Sequence, residues 1–124
     1  YNFVVAGPAG MGECFEADVS DGDTTLEANM DGTNAPQLVF ASSVLACGEN
    51  IKNSGDFDQE AWFTAQSGTS TAATQSAVLN GFYTIDTTAP TDVTTLGTFF
   101  SSVDFIGAVK DADNDWTANW TVGL

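Results

Sequence analysis

The residue pattern predicts an all-β chain with long loops and one short helix, and three observations carry that reading. Short runs of β-branched and aromatic residues alternate with turn residues along the whole chain. Residues 37–47 form an apolar block too continuous for a half-exposed strand, which predicts burial on both faces. Only residues 57–66 carry helix signals. Asp56 is placed to cap, Gln59 follows three residues later, and Trp62 and Phe63 fall on the buried side.

Taken in order, Phe3-Val4-Val5-Ala6 reads as a strand, and the Gly- and Pro-bearing stretch 7–12 ends it. Residues 13–19 alternate weakly before a turn at Asp21-Gly22-Asp23. Residues 29–36 read as a loop carrying Asp31-Gly32, and residues 50–55 as a polar loop after the apolar block. Beyond the helix, the Ser/Thr/Ala-rich stretch 67–76 reads as a loop. Val78-Leu79 and residues 82–85 are strand pieces around Asn80-Gly81, and residues 86–95 form a Thr-rich excursion. No internal repeat has a fixed period, although the blocks near 3–6 and 37–47 suit successive rungs of one sheet. The last stretch, 99–124, places Phe99, Phe100, Phe105, Ile106, Val109, Trp116 and Trp120 around the polar loop 110–115. So much apolar surface at a chain end predicts docking, as a cap or closing element of the β body.

A chain of 124 residues supports one domain, 1–124, and its 43% hydrophobic content suits a packed core. The charge balance is extreme: 17 acidic residues face two lysines, Lys52 and Lys110, for a net charge of −15 with no Arg and no His. Such a surface repels phosphate backbones and anionic lipid, which excludes nucleic-acid and membrane-surface binding. No stretch approaches the roughly 20 apolar residues of a membrane span, so no membrane insertion is expected. An acidic coat suits a protein living in salt, with divalent cations as natural small partners.

Cys14 and Cys47 lie outside any Cys-x-x-Cys pattern, and no His completes a zinc site. They read either as two reduced core cysteines or as one disulfide. The disulfide is preferred because the rest of the chain looks extracellular, and a loop of that size would contribute about 3–4 kcal/mol. The sequence from Tyr1 does not open with a basic region and an apolar run, so any signal peptide is expected to have been removed. Tyr1 runs directly into a strand-like segment, as the start of a processed or partial fragment would.

The absence of His and Arg removes most enzyme templates, from Ser-His-Asp triads to arginine clamps on phosphate. The glycines at 7–12 lack the Lys-Ser/Thr of a phosphate loop and read as a strand-to-strand turn. An acid-pair glycosidase needs only two carboxylates, but nothing singles out one pair among 17 acids. The best metal-like element is Asp111, Asp113 and Asp115, whose alternate spacing gathers hard oxygens as Ca²⁺ loops do. Trp116 and Val122 stand where an EF-hand needs Gly and Glu, so the competing reading is a solvated acidic turn. Asp18, Asp21 and Asp23 form a second, weaker candidate. Asn119-Trp120-Thr121 is a glycosylation sequon. Trp62, Trp116 and Trp120 read as core or capping residues, or as a sugar-stacking platform.

Phe99-Phe100, the run 103–109 (Val-Asp-Phe-Ile-Gly-Ala-Val), Asp115-Trp116-Thr117 and Trp120-Thr121 together form a recognisable ending. It resembles the C-terminal signature of secreted bacterial proteins of uncharacterised function with parallel β-helix-like bodies. There a run of the form F-F-x-x-V-D-[FY]-[IK]-G-A-[VF] leads through an acidic loop to D-W-T-x-x-W. The resemblance extends over roughly residues 37–124, taking in Val44-Leu45-Ala46-Cys47 and Ala61-Trp62-Phe63. It implies a right-handed parallel β-helix (β-solenoid) segment, with 99–124 as its C-terminal cap, an envelope or extracellular location, and a non-catalytic structural role. Proteins of that kind are much longer, so an incomplete helix would present an open end to a second copy or to another part of a longer chain.

The expected function is therefore a secreted or cell-surface structural or adhesive protein, with self-assembly into a filament or array in view and no enzymatic activity. The alternative is a Ca²⁺-dependent carbohydrate-binding module using Asp111, Asp113, Asp115 and Trp116. A glycosidase is the least favoured reading.

Overall fold

The computed structural model describes residues 1–18, 24–35, 37–119 and 121. Seven short strands and two helices follow one another as β1 (Val4–Ala6), β2 (Glu13–Phe15), α1 (Thr24–Asp31), β3 (Val44–Ala46), β4 (Glu49–Ile51), α2 (Gln59–Thr64), β5 (Ser70–Thr71), β6 (Leu79–Asn80) and β7 (Tyr83–Thr84). Three single 3-10 turns, at 75–77, 93–96 and 112–114, complete the regular structure.

Parallel pairing organises the first two thirds of the chain. β3 lies between β1 and β5, with Val4, Val5 and Ala6 opposite Val44, Leu45 and Ala46, and Val44 and Leu45 opposite Ser70 and Thr71. β2 and β4 pair in the same sense beside them. Parallel neighbours require long crossovers, and α1 and α2 sit within the two connections that bring the chain back to this sheet. β6 and β7 form a separate antiparallel hairpin whose turn uses Gly81 at φ 64°.

Neither the expected all-β chain nor its right-handed parallel β-helix forms: two helices stand among strands that are few and short. Among the described residues, the strands are two or three residues long and fall into three small sheets, one of them antiparallel, none closed and with no repeating coil. The physical reason lies in the connections. Two of them contain helices, and after β7 no further strand occurs among the described residues to extend the parallel stack. Residues 99–119 therefore have no stack of rungs to close.

β3 is buried on both faces as its composition requires, with Val44, Leu45 and Ala46 each at most 1% exposed. Side chains alternate across a strand. Leu45 and Val5 point to one layer, where Met30, Ile51, Trp62 and Phe63 form the main core with Phe3, Phe15, Phe40 and Phe57 around them. Phe40 is its hub, meeting Phe3, Phe15, Trp62 and Phe63 edge-on at ring separations of 5.3–5.7 Å. Val44 and Ala46 face the other layer, covered by Val78 and Ile106 with Val4, Ala6, Ala72 and Leu79.

The α2 region shows how polar groups complete this core. Its N-cap is Asp58, not Asp56, with the Asp58 carboxylate accepting from Ala61 N at 2.9 Å. Asn53 Oδ1 accepts from Gln59 N and Glu60 N and so satisfies the first helical amides from outside. Gln59 is fully buried and serves Ala17 instead of a capping box. Its Oε1 accepts from Ala17 N at 2.8 Å and its Nε2 donates to Ala17 O at 2.6 Å. The side-chain amide thus pairs both backbone groups of one residue as a neighbouring strand would.

Candidate functional site

Cys14 and Cys47 are joined by a disulfide, with their Cα atoms 5.6 Å apart. The bridge ties β2 to the end of β3 across 33 residues of sequence, and the reading of two reduced cysteines is set aside. The chain-entropy argument assigns this closure about 4 kcal/mol.

Beyond the hairpin, the chain is tied back to the body at Asn2. Asn2 Nδ2 donates to Thr91 O at 2.8 Å, and Asn2 Oδ1 accepts from Thr91 N at 2.7 Å. The same residue's carbonyl accepts from Gly107 N at 2.9 Å, and its own N–H donates to Ala41 O. Asn2 adopts φ 58°, a left-handed conformation that Asn tolerates better than most side chains. Ser42 adds a hydroxyl contact to Thr91 Oγ1 at 2.9 Å. Residues 91–107 therefore form a loop whose two ends are pinned side by side at the start of β1, as in an Ω-type excursion.

Turn chemistry shapes the loop from within. Asp92 Oδ1 accepts from Thr94 N at 3.0 Å and Thr94 Oγ1 at 2.7 Å, nucleating the 3-10 turn at 93–96. These Thr94 bonds, side chain before backbone, hold the Asp92 carboxyl below its usual range. Phe100 N donates to Gly97 O, and the Phe99 and Phe100 rings meet edge-on at 5.5 Å. At the exit, Asp104 pairs with Lys110 at 2.6 Å, which lowers the carboxyl and raises the lysine.

The aromatic ending divides in two. Ile106 and Val109 are buried, and Gly107 lies against Val4 and Thr84 with no room to spare for a β-carbon at φ 94°. Val109 O accepts from Thr84 N, so 106–109 runs between β1 and the hairpin. Leu96, Phe99, Phe100 and Val103 stay outside, with Phe99 90% exposed. Docking, expected for the whole of 99–124, is thus realised at 106–109, whereas Phe99, Phe100, Val103 and Trp116 stay outside and Trp120 lies outside the described residues.

The three candidate carboxylates occupy one turn but converge on no common point. Asp111 Oδ1 caps the 3-10 turn, accepting from Asn114 N at 2.9 Å and Asn114 Nδ2 at 2.7 Å. Asp115 Oδ1 accepts from Thr117 N and from the Thr117 hydroxyl, and Tyr83 OH reaches Asp115 Oδ2 at 3.5 Å. The Thr117 hydroxyl is the main reason the Asp115 carboxyl falls below its ordinary range, and desolvation, then Asp115 itself, raises Tyr83. Asp113 is exposed. Among the described residues, no group of three Cys, Asp or Glu side chains is placed to hold a metal ion. Of the weaker acidic triplet, Asp18 receives a bond from Ser54 Oγ at 3.1 Å, and Asp21 and Asp23 lie outside the described residues.

The three tryptophans do not form a platform together. Trp62 belongs to the core, its Nε1 donating to Met30 O at 2.6 Å. Trp116 is 58% exposed with its Nε1 pinned to Ala108 O at 2.8 Å, and Trp120 lies outside the described residues. Sequence reasoning misses the pinning role of Asn2, because its loop partners Thr91 and Gly107 lie 89 and more residues away and leave no local signal. The described residues enclose no pocket, and no helix among them is long and apolar enough to cross a membrane. No family model, curated protein or solved structure matches this chain, so its geometry alone carries the functional reading.

Proposed function

We propose that the chain is a secreted or cell-surface structural and adhesive module whose working surface is the displayed loop 91–107. One observation carries this reading: Leu96, Phe99, Phe100 and Val103 are held outward on a loop pinned at its base. Clustered exposed apolar side chains cost solubility and commonly mark contact surfaces. The Cys14–Cys47 disulfide suits an oxidising compartment. A net charge of −15 opposes self-association at low salt, so adhesion to another molecule is favoured over filament formation.

Fractionation of the producing cells, with sedimentation of the purified chain, tests the proposal. The chain is expected in the surface or extracellular fraction and as a monomer at low salt. Recovery as a reduced intracellular protein would overturn it.

A carbohydrate-directed reading has one observation in its favour. The Trp116 indole is both exposed and fixed in place, as sugar stacking requires, and it adjoins Asp115 of the acidic turn. Calorimetric titration with Ca²⁺ and glycan-array binding test it. Silence in both removes it.

A further inference from the structure

Charge and shape at the loop together specify a partner. Both cations of the chain are already engaged. Lys52 contacts Glu16 at 2.8 Å and Glu13 at 3.4 Å, and Lys110 contacts Asp104. Asp86, Asp92 and Asp104 lie before, within and at the exit of the loop, in a chain of net charge −15. A second copy would bring the same charge to the same surface, and an anionic membrane or nucleic acid would be repelled. What complements an apolar patch in such a field is an apolar patch edged with positive charge.

We propose that loop 91–107 docks a cationic, amphipathic segment of another protein. Its apolar side chains lie on Leu96, Phe99, Phe100 and Val103, and its Lys or Arg side chains face Asp92 and the acidic surroundings. The proposal rests on the adhesive reading and names the chemistry of its partner. Pinning at Asn2 matters here because a loop fixed at both ends loses less freedom on binding than an open one. Asn2 acts as a positioning residue, and Phe99, the most exposed of the four, supplies the contact.

The test uses the whole disulfide-bonded chain with a fluorescent synthetic peptide of Lys and Leu patterned as an amphipathic helix. A Lys-Ser peptide of equal charge serves as the control. Anisotropy gives Kd, and NMR shift changes locate the contact. The expected result is binding that shifts the amides of 96–103, prefers the Lys-Leu peptide, weakens with salt, and loses about tenfold in affinity in Phe99→Ala. Asn2→Ala should weaken binding while leaving the shift pattern on 96–103, which loss of fold would erase.

Equal binding of both peptides would overturn the proposal, as would an affinity untouched by Phe99→Ala or shifts confined to other residues. Concentration-dependent dimers abolished by Phe99→Ala would assign the loop to a second copy instead. The adhesive reading fails separately. Surface retention on cells that survives Phe99→Ala sinks the loop and keeps adhesion, whereas absence of retention sinks adhesion itself.

Discussion

The body around Phe40 and the loop segment 96–103 are both rich in large apolar residues, yet one buries them and the other displays them. In the body, Phe40, Trp62 and Phe63 interlock between a parallel sheet and α2, and the disulfide closes the structure around them. In the loop, Phe99 and Phe100 touch each other, while Asn2 bonds Thr91 and the Asp92 carboxylate accepts from Thr94 N to hold the backbone. Apolar content therefore does not decide burial. What decides it is whether neighbouring segments supply a second surface to pack against, and the loop's anchors are polar.

If this contrast holds, substitutions in the two regions must separate widely in stability. Phe63→Ala, at a fully buried position in the core, should lose about 3–5 kcal/mol in denaturant unfolding. Removing the disulfide with Cys14→Ala and Cys47→Ala should lose about 4 kcal/mol, seen as a lower thermal midpoint. An unchanged midpoint would mean that the bridge constrains little. Gln59→Ala orphans the N–H and C=O of buried Ala17 and should lose about 2 kcal/mol or more, measured the same way. Trp116→Ala should lose less than about 1 kcal/mol, since its ring is mostly in solvent. A loss as large as that of Phe63→Ala would place Trp116 in a core and erase the distinction between the regions.

Much of the body was legible from residue order alone. β1, β3, β6 and β7 fall in or beside apolar runs flanked by turn residues, β2 falls in the weakly alternating stretch 13–19, and β3 is buried on both faces as its unbroken apolar run requires. α2 was legible too, although its cap is Asp58 because Asn53 and the turn before it set the helix start. β4 and β5 were not legible. Glu49-Asn50-Ile51 and Ser70-Thr71 are largely polar, and they become strands because β2 and β3 offer a ladder. α1 was missed because Leu26 and Met30 give only one apolar spacing within a polar run.

The solenoid expectation was wrong, since the strands fall into three separate small sheets. Parallel neighbours do occur, but the helices in the connections and the turn-rich ending keep them from repeating. The site was the least legible part. Its acidic turn and tryptophans are visible in the sequence, whereas the loop's anchor is one asparagine bonded to segments far along the chain.

Residue-resolved amide hydrogen exchange on the native chain tests the central contrast most directly. Val44, bonded to Phe3 O in the sheet, and Ala65, bonded to Ala61 O at the end of α2, should exchange only through global or large-scale opening. The amides of residues 98–103 should exchange through small local openings and be far less protected. Equal protection of 98–103 and Val44 would show the aromatic loop to be packed into the body and would contradict the account.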